Sequence, residues 1–105
     1  MKDIELGIMN LIANGGSARS LAMKAIYAAK KGSFDEADKD IQKANDYLLQ
    51  AHHVQTKFLT EEAQGKNHQV SLLMVHAQDH LMNAITVRDL AKEIIDIYRK
   101  DKNHD

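Results

Sequence analysis

Apolar residues recur every three or four positions along almost the whole chain, the pattern of helices that each bury one stripe. From about Asp3 to Lys31 the recurring positions are Ile4, Ile8, Leu11, Ile12, Ala18, Leu21, Ala22, Ala25, Ile26 and Ala29. Asn14-Gly15-Gly16-Ser17 interrupts this run, and each interior glycine costs about 1 kcal/mol relative to alanine. A loop between two short helices is one reading. A single helix is the better one, because the apolar pattern resumes in register. Ala13, Gly16, Ser17 and Ser20 would then let another segment approach closely.

Lys31-Gly32-Ser33-Phe34-Asp35-Glu36 reads as a helix stop followed by a start. Gly32 suits the left-handed position after a helix end, with Lys30 and Lys31 at the negative end of the dipole. Ser33 and Glu36 have the spacing of a capping box. A second helix follows from Phe34 to about Gln64, with Ala37, Ile41, Ala44, Leu48, Ala51, Gln55 and Phe58 forming a heptad-like seam. Gly65-Lys66-Asn67-His68 breaks it. The third helix is predicted from about Val70 to Arg99, with Lys100 to Asp105 a charged, frayed tail. Helices over about 3–31, 34–64 and 70–99, joined by short loops, predict an all-α, antiparallel up-down-up three-helix bundle. Residues 1–105 read as one domain.

The third helix carries a second pattern. At 100° per residue, Leu72, Leu73, His76, Asp79, His80, Asn83, Val87, Leu90 and Ile94 fall within about 60° of one line. Met74, Leu81 and Ile85 lie opposite. One apolar face serves the bundle core, so the other calls for a second partner, most simply another copy of the chain. His76, Asp79, His80 and Asn83 sit within that face at i, i+3, i+4 and i+7, with Gln78 to one side. Buried polar groups left unsatisfied cost about 1–3 kcal/mol each, so this set needs a reason.

Three reasons compete. The polar residues could satisfy one another and merely fix register. His76 and His80 at i, i+4 could chelate zinc with Asp79, although the HExxH pattern of zinc proteases is absent. An imidazole could also act as a nucleophile toward phosphorus, its tautomer fixed by a neighbouring carboxylate or amide. His76 lies near the second turn, where help from the helix dipole is fading. On the second helix Gln55 lies on the buried stripe, placed to reach the third helix. His52 flanks that stripe and His53 points to solvent. His68 and His104 have no nameable partner. Glu61-Glu62, Asp38 and Asp40 read as solvated helix faces.

Composition narrows the choices. The chain of 105 residues has no proline and no cysteine. Missing proline fits long helices; missing cysteine removes disulfides, thiolate nucleophiles and cysteine-ligated metals. Ser17, Ser20, Ser33 and Ser71 sit in no nucleophile motif, and Gly15-Gly16 lacks the spacing of a phosphate-binding loop. Fourteen Lys and Arg balance fifteen Asp and Glu, so a nucleic-acid partner is not expected. Acidic residues at the start and the lack of a long apolar run argue against a signal peptide or membrane span. A cytoplasmic, soluble protein is expected.

Met74-Val75-His76-Ala77-Gln78-Asp79-His80-Leu81-Met82 resembles the active-site segment of the lactose/cellobiose class of IIA proteins of the bacterial sugar phosphotransferase system. Gly16-Ser17-Ala18-Arg19-Ser20, Lys31-Gly32-Ser33-Phe34 and Ala51-His52-His53-Val54-Gln55-Thr56 agree with that family in order and spacing. Ala77 stands where the lactose-type members carry glycine, a small-for-small change.

The resemblance implies a cytoplasmic phosphocarrier. It would accept a phosphoryl group from phospho-HPr on His76, through Nε2, and pass it to a cysteine of the cognate IIB protein. The membrane IIC component would import a β-linked disaccharide as it is phosphorylated. The resemblance also implies a homotrimer, with Asp79 near its axis holding one divalent metal per trimer, taken as magnesium, and Gln78 and His80 supporting the site. Oxygen-only ligands fit magnesium or calcium better than zinc. The rival from another class is a non-catalytic helical oligomer in which His76, Asp79 and His80 form a structural metal layer.

Overall fold

The structure, a computed structural model, describes residues 2–66 and 68–104, the side chains of 103 and 104 excepted. Three helices make up the fold: α1 (Asp3–Lys30), α2 (Phe34–Ala63) and α3 (Leu72–His104). No strand occurs among the described residues. The bundle is a rod of 58 × 24 × 20 Å. Its length follows from helices of about 30 residues rising about 1.5 Å each.

α1 is the central element, packed along both α2 and α3, while α2 and α3 touch each other far less. This explains its sequence. A helix with two neighbours must bury a wide arc, and α1 does so with Ile8, Leu11, Gly15, Ala18, Ala22, Ala25, Ala28 and Ala29. Most buried apolar residues of the molecule are alanines, which let helix axes approach near the short end of the usual 8–10 Å range. Asn14-Gly15-Gly16-Ser17 is continuous helix, as the in-register pattern predicted. Of the small residues expected to allow close approach, Ala13 and Ser20 are exposed; the buried contact is made at Gly15.

The α2 seam is buried or half-buried at every position from Ala37 to Phe58. The core forms two clusters. One joins Leu11, Leu48, Phe58 and Leu81 near the chain start; the other joins Ala28, Ala37 and Ile95 near the α1–α2 turn.

Helix ends show where chain chemistry acts and where the predicted boundaries move. Gly32 has φ +81° and Gly65 has φ +84°, a conformation that costs glycine nothing extra. Each ends its helix in a Schellman motif. Ser33 N donates to Ala28 O at 2.9 Å and Gly32 N to Ala29 O at 3.0 Å; Lys66 N donates to Glu61 O at 2.9 Å and Gly65 N to Glu62 O at 3.0 Å. α1 and α2 each stop one residue before the expected end. The capping box at Ser33 does not form: Ser33 occupies the N-cap, but its side chain makes no capping bond.

α3 starts two residues later than expected, at Leu72, because Ser71 caps it. Met74 N donates to Ser71 Oγ at 3.1 Å. Its end also shifts. The charged tail is helical through His104, held by the start of α2. Arg99 Nη2 donates to Asp38 Oδ1 at 2.8 Å, and Arg99 and Lys102 both lie 5.3 Å from the Phe34 ring centroid, in cation–π range.

Of the four acids placed on solvated faces by their sequence, Glu62 is exposed, Glu61 is half-buried and bonded to His68, and two more are engaged. Asp38 holds Arg99. Asp40 is buried at 2% exposure, with Lys24 Nζ 4.0 Å from Oδ1 and no hydrogen-bond partner for Oδ2 among the described residues. No described helix is long and apolar enough to cross a membrane.

Candidate functional site

α3 sorts its residues onto two faces. Ala77, Leu81, Ala84, Ala91 and Ile95 are buried in the core, with Met74 and Ile85 packed against it. Turning away from them are His76, Asp79 and Asn83, all exposed, and half-buried His80. The predicted polar stripe therefore exists, and within one chain it faces outward. Leu72, Leu73, Val75, Met82 and Leu90 surround it, each more than half exposed. Of the predicted second apolar face, Leu72, Leu73 and Leu90 are open in the single chain, Val87 and Ile94 are half-buried, and Val75 and Met82 extend the open part to one side.

Ser71 fixes where α3 begins, which puts His76 in its second turn. The His76 and His80 rings lie one turn apart and stack, with centroids 5.8 Å apart and planes at 29°. The other edge of His80 meets α1. A Cβ on Gly16 would lie 3.2 Å from His80 Nε2, and one on Gly15 would lie 3.3 Å from His80 Cδ2. Asp79 accepts a bond from Asn83 Nδ2 at 3.3 Å on Oδ2, the i, i+4 spacing on one helix face.

Gln78 stands apart from this group. Its Oε1 accepts from Gln55 Nε2 at 2.8 Å, so Gln78 faces α2 rather than the His76–His80 stack. The same bond places Gln55 across from α3, as its position on the buried stripe suggested. His52 and His53 are exposed on α2. His68 has a partner after all: Nε2 lies 2.5 Å from Glu61 Oε2, and its ring meets Phe58 edge-on at 5.8 Å. That bond holds the Glu61 carboxyl below its ordinary value of 4.5. The His104 side chain lies outside the described residues.

Among the described residues, no three His, Asp or Glu side chains of one chain gather as a metal-holding group. Three-ligand zinc chelation by His76, Asp79 and His80 within one chain has no support in this geometry. What the site offers is an exposed imidazole on a rigid helix, braced by a second imidazole. Open apolar side chains around it could seat another macromolecule. The pairing of His80 with Gly15 and Gly16 escaped the sequence reading, although two glycines inside a helical pattern were its signal.

A helical bundle presenting an exposed imidazole within an open apolar face defines a scaffold whose ring another macromolecule could reach. Comparison with known proteins makes this specific. The family model for the lactose/cellobiose-specific IIA subunit of the phosphotransferase system matches residues 7–99. The lichenan-specific phosphotransferase enzyme IIA component of Bacillus subtilis is 52% identical over 99 residues, covering 94% of this chain and 90% of the relative. The crystal structure of the cellobiose-specific enzyme IIA from Bacillus anthracis superposes with a TM-score of 0.95. It is 48% identical and covers 98% of this chain and 94% of the other. IIA(Chitobiose) in its solution complex with HPr, from Escherichia coli, gives 0.83 at 40% identity, covering 97% and 99%. The chain belongs to the lactose/cellobiose-specific IIA family of the sugar phosphotransferase system.

Proposed function

We propose that this chain is a cytoplasmic phosphocarrier that accepts a phosphoryl group from phospho-HPr on Nε2 of His76. It then passes the group to the cysteine of its IIB partner, serving uptake of a β-linked disaccharide through a membrane IIC component. The observation that carries the site assignment is the exposure of His76 on a rigid helix, beside a second imidazole and within an open apolar face. Family membership supports HPr as donor, since a related IIA protein has been solved in complex with HPr.

The chemistry needs little from the protein. The lone pair of neutral His76 Nε2 attacks phosphorus while the P–N bond on the donor breaks, its electron pair staying on the donor ring. In the second step the IIB thiolate attacks, a P–S bond forms, and the pair returns to His76. Both steps exchange one leaving group for another, so positioning and tolerance of charge dominate. Both partners must reach the same nitrogen, so they dock in turn on overlapping surface.

We further propose that three copies assemble through the open face of α3. A divalent cation, magnesium by donor type, would be held by Asp79 of each copy. The donor set fits: Asp79 offers an exposed carboxylate whose charge no described residue neutralises by an ion pair, and hard oxygen ligands suit magnesium. The ion would supply charge neutralisation between the carboxylates. His80 supports His76 from the α1 side, and Gln78 supports it indirectly by tying α3 to α2.

The direct test is phosphorylation by phosphoenolpyruvate and the general components of the system. Native protein is expected to gain one acid-labile, base-stable phosphoryl group per chain, and His76→Gln none. A native chain that stays unlabelled overturns the carrier reading. A His76→Gln variant that labels normally overturns the site assignment.

A further inference from the structure

Gly15 and Gly16 are adjacent interior residues of α1, where glycine is locally the poorest choice short of proline. Both border the His80 ring, but not in the same way. Gly15 lies against the ring and the α3 backbone together: a Cβ there would stand 3.3 Å from His80 Cδ2 and 3.5 Å from Leu81 Cα. Gly16 has no such backbone neighbour among the described residues. The one heavy atom of the described residues within 4 Å of a Cβ at Gly16, outside its own chain neighbours and helix backbone, is His80 Nε2, at 3.2 Å. The space a side chain would take at residue 16 is thus bordered by the edge of the His80 imidazole. The same ring stacks on His76.

We infer that Gly16 is a positioning residue for the phosphoryl acceptor: it seats the His80 ring, and the seated ring holds the His76 imidazole in its reactive orientation. This rests on the reading of His76 as acceptor. In a helix a histidine is confined at χ1, whereas rotation about its sp³–sp² χ2 bond is broad. Exposed His76 has no described hydrogen bond that would set χ2. A stacked neighbour restrains the ring, provided that neighbour cannot itself swing away. His80 is half-buried, with α1 behind it and His76 beside it. A methyl group at residue 16 would press on Nε2 and move the ring by a few tenths of an ångström. In-line transfer is sensitive to such shifts, since a misplacement of about 1 Å can cost roughly a hundredfold.

Gly16→Ala separates this role from a structural one, because alanine favours the helix while it disturbs the ring. Transfer from phospho-HPr to His76 is expected to slow about tenfold in Gly16→Ala, with the thermal midpoint unchanged or higher. His80→Ala should slow transfer similarly. The double variant should be no slower than His80→Ala alone, since without the ring a methyl at residue 16 has nothing to displace. Native-rate labelling of Gly16→Ala, or slowing in the double variant equal to the product of the two singles, overturns the inference. If Gly16→Ala has a lowered midpoint, the comparison of the double variant with His80→Ala still decides. Histidine ¹⁵N NMR of the unphosphorylated protein keeps the two readings apart. Gly16→Ala should shift the His76 ring resonances even if His76 proves not to be the acceptor. Unmoved resonances refute the seat whatever the carrier assay shows.

Discussion

Single side chains in this bundle are set by neighbours outside their own helix, and Glu61, bonded to His68 in the α2–α3 connection, shows the consequence for stability. Its carboxyl is held below the ordinary value of 4.5, first by the hydrogen bond to His68 and then by the nearby charges of His68, Lys57 and Lys66. A depressed carboxylate means that the unfolded chain binds more protons than the folded one in the window between the two values. The contribution is complete above about pH 4.5 and is lost as pH falls through the lower folded value. Glu61→Gln is therefore expected to shrink the fall in urea midpoint between about pH 5 and pH 3. Parallel midpoint curves for native and variant would contradict it. His76, Asp79 and His80 were legible as a group because i, i+3, i+4 spacing is a property of one helix. The His68–Glu61 pair was not, since it depends on how the α2–α3 connection folds back. Asp40 was misread for a related reason. Helical periodicity places it near the seam, but only the approach of α1 buries it to 2% and sets Lys24 at 4.0 Å.

At the level of elements, local chemistry placed the ends of α1 and α2 to within one residue, missed both ends of α3, and misjudged which serine caps which helix. Ser33 has the capping-box spacing with Glu36, yet its backbone is committed to the Schellman turn that ends α1, and its hydroxyl makes no capping bond. Ser71 has no glutamate three residues on, yet its Oγ accepts from Met74 N at 3.1 Å. A serine cap is worth roughly 1 kcal/mol. Ser71→Ala should lower stability by about that amount, and Ser33→Ala should stay within about 0.5 kcal/mol of native. Urea denaturation at one fixed protein concentration measures both, and a larger loss at Ser33 would reverse the assignment. The helical tail of α3 escaped the sequence for a similar reason. Its charges look solvated in isolation, but Arg99 and Lys102 close on Phe34 and Arg99 bonds Asp38.

For the whole molecule, the decisive fact is that α3 buries one face and leaves another apolar and open. Leu72, Leu73, Val75, Met82 and Leu90 are each more than half exposed in the single chain, beside exposed Asp79. Burying those side chains between copies removes apolar area from water at about 25 cal/mol per Å², which favours assembly. In the proposed trimer, bringing three Asp79 carboxylates toward one axis would oppose it, because like charges leaving water repel strongly unless protons or a cation neutralise them. The two effects act on one helix face and can be pulled apart. If a cation offsets the repulsion, a chelator should weaken the native assembly, read by sedimentation as a lower mass at falling concentration. Asp79→Leu removes the ligand and the charge together. It should bind no divalent ion, ignore the chelator, and remain a trimer of 11.8 kDa chains to lower concentrations than the native protein. Leu90→Asp adds charge to the apolar part of the face with no cation to offset it, and should sediment as a monomer. A native protein that is monomeric at micromolar concentration would end the trimer proposal. An Asp79→Leu variant with undiminished metal content would end the role given to Asp79 and leave the open face to be explained by association alone.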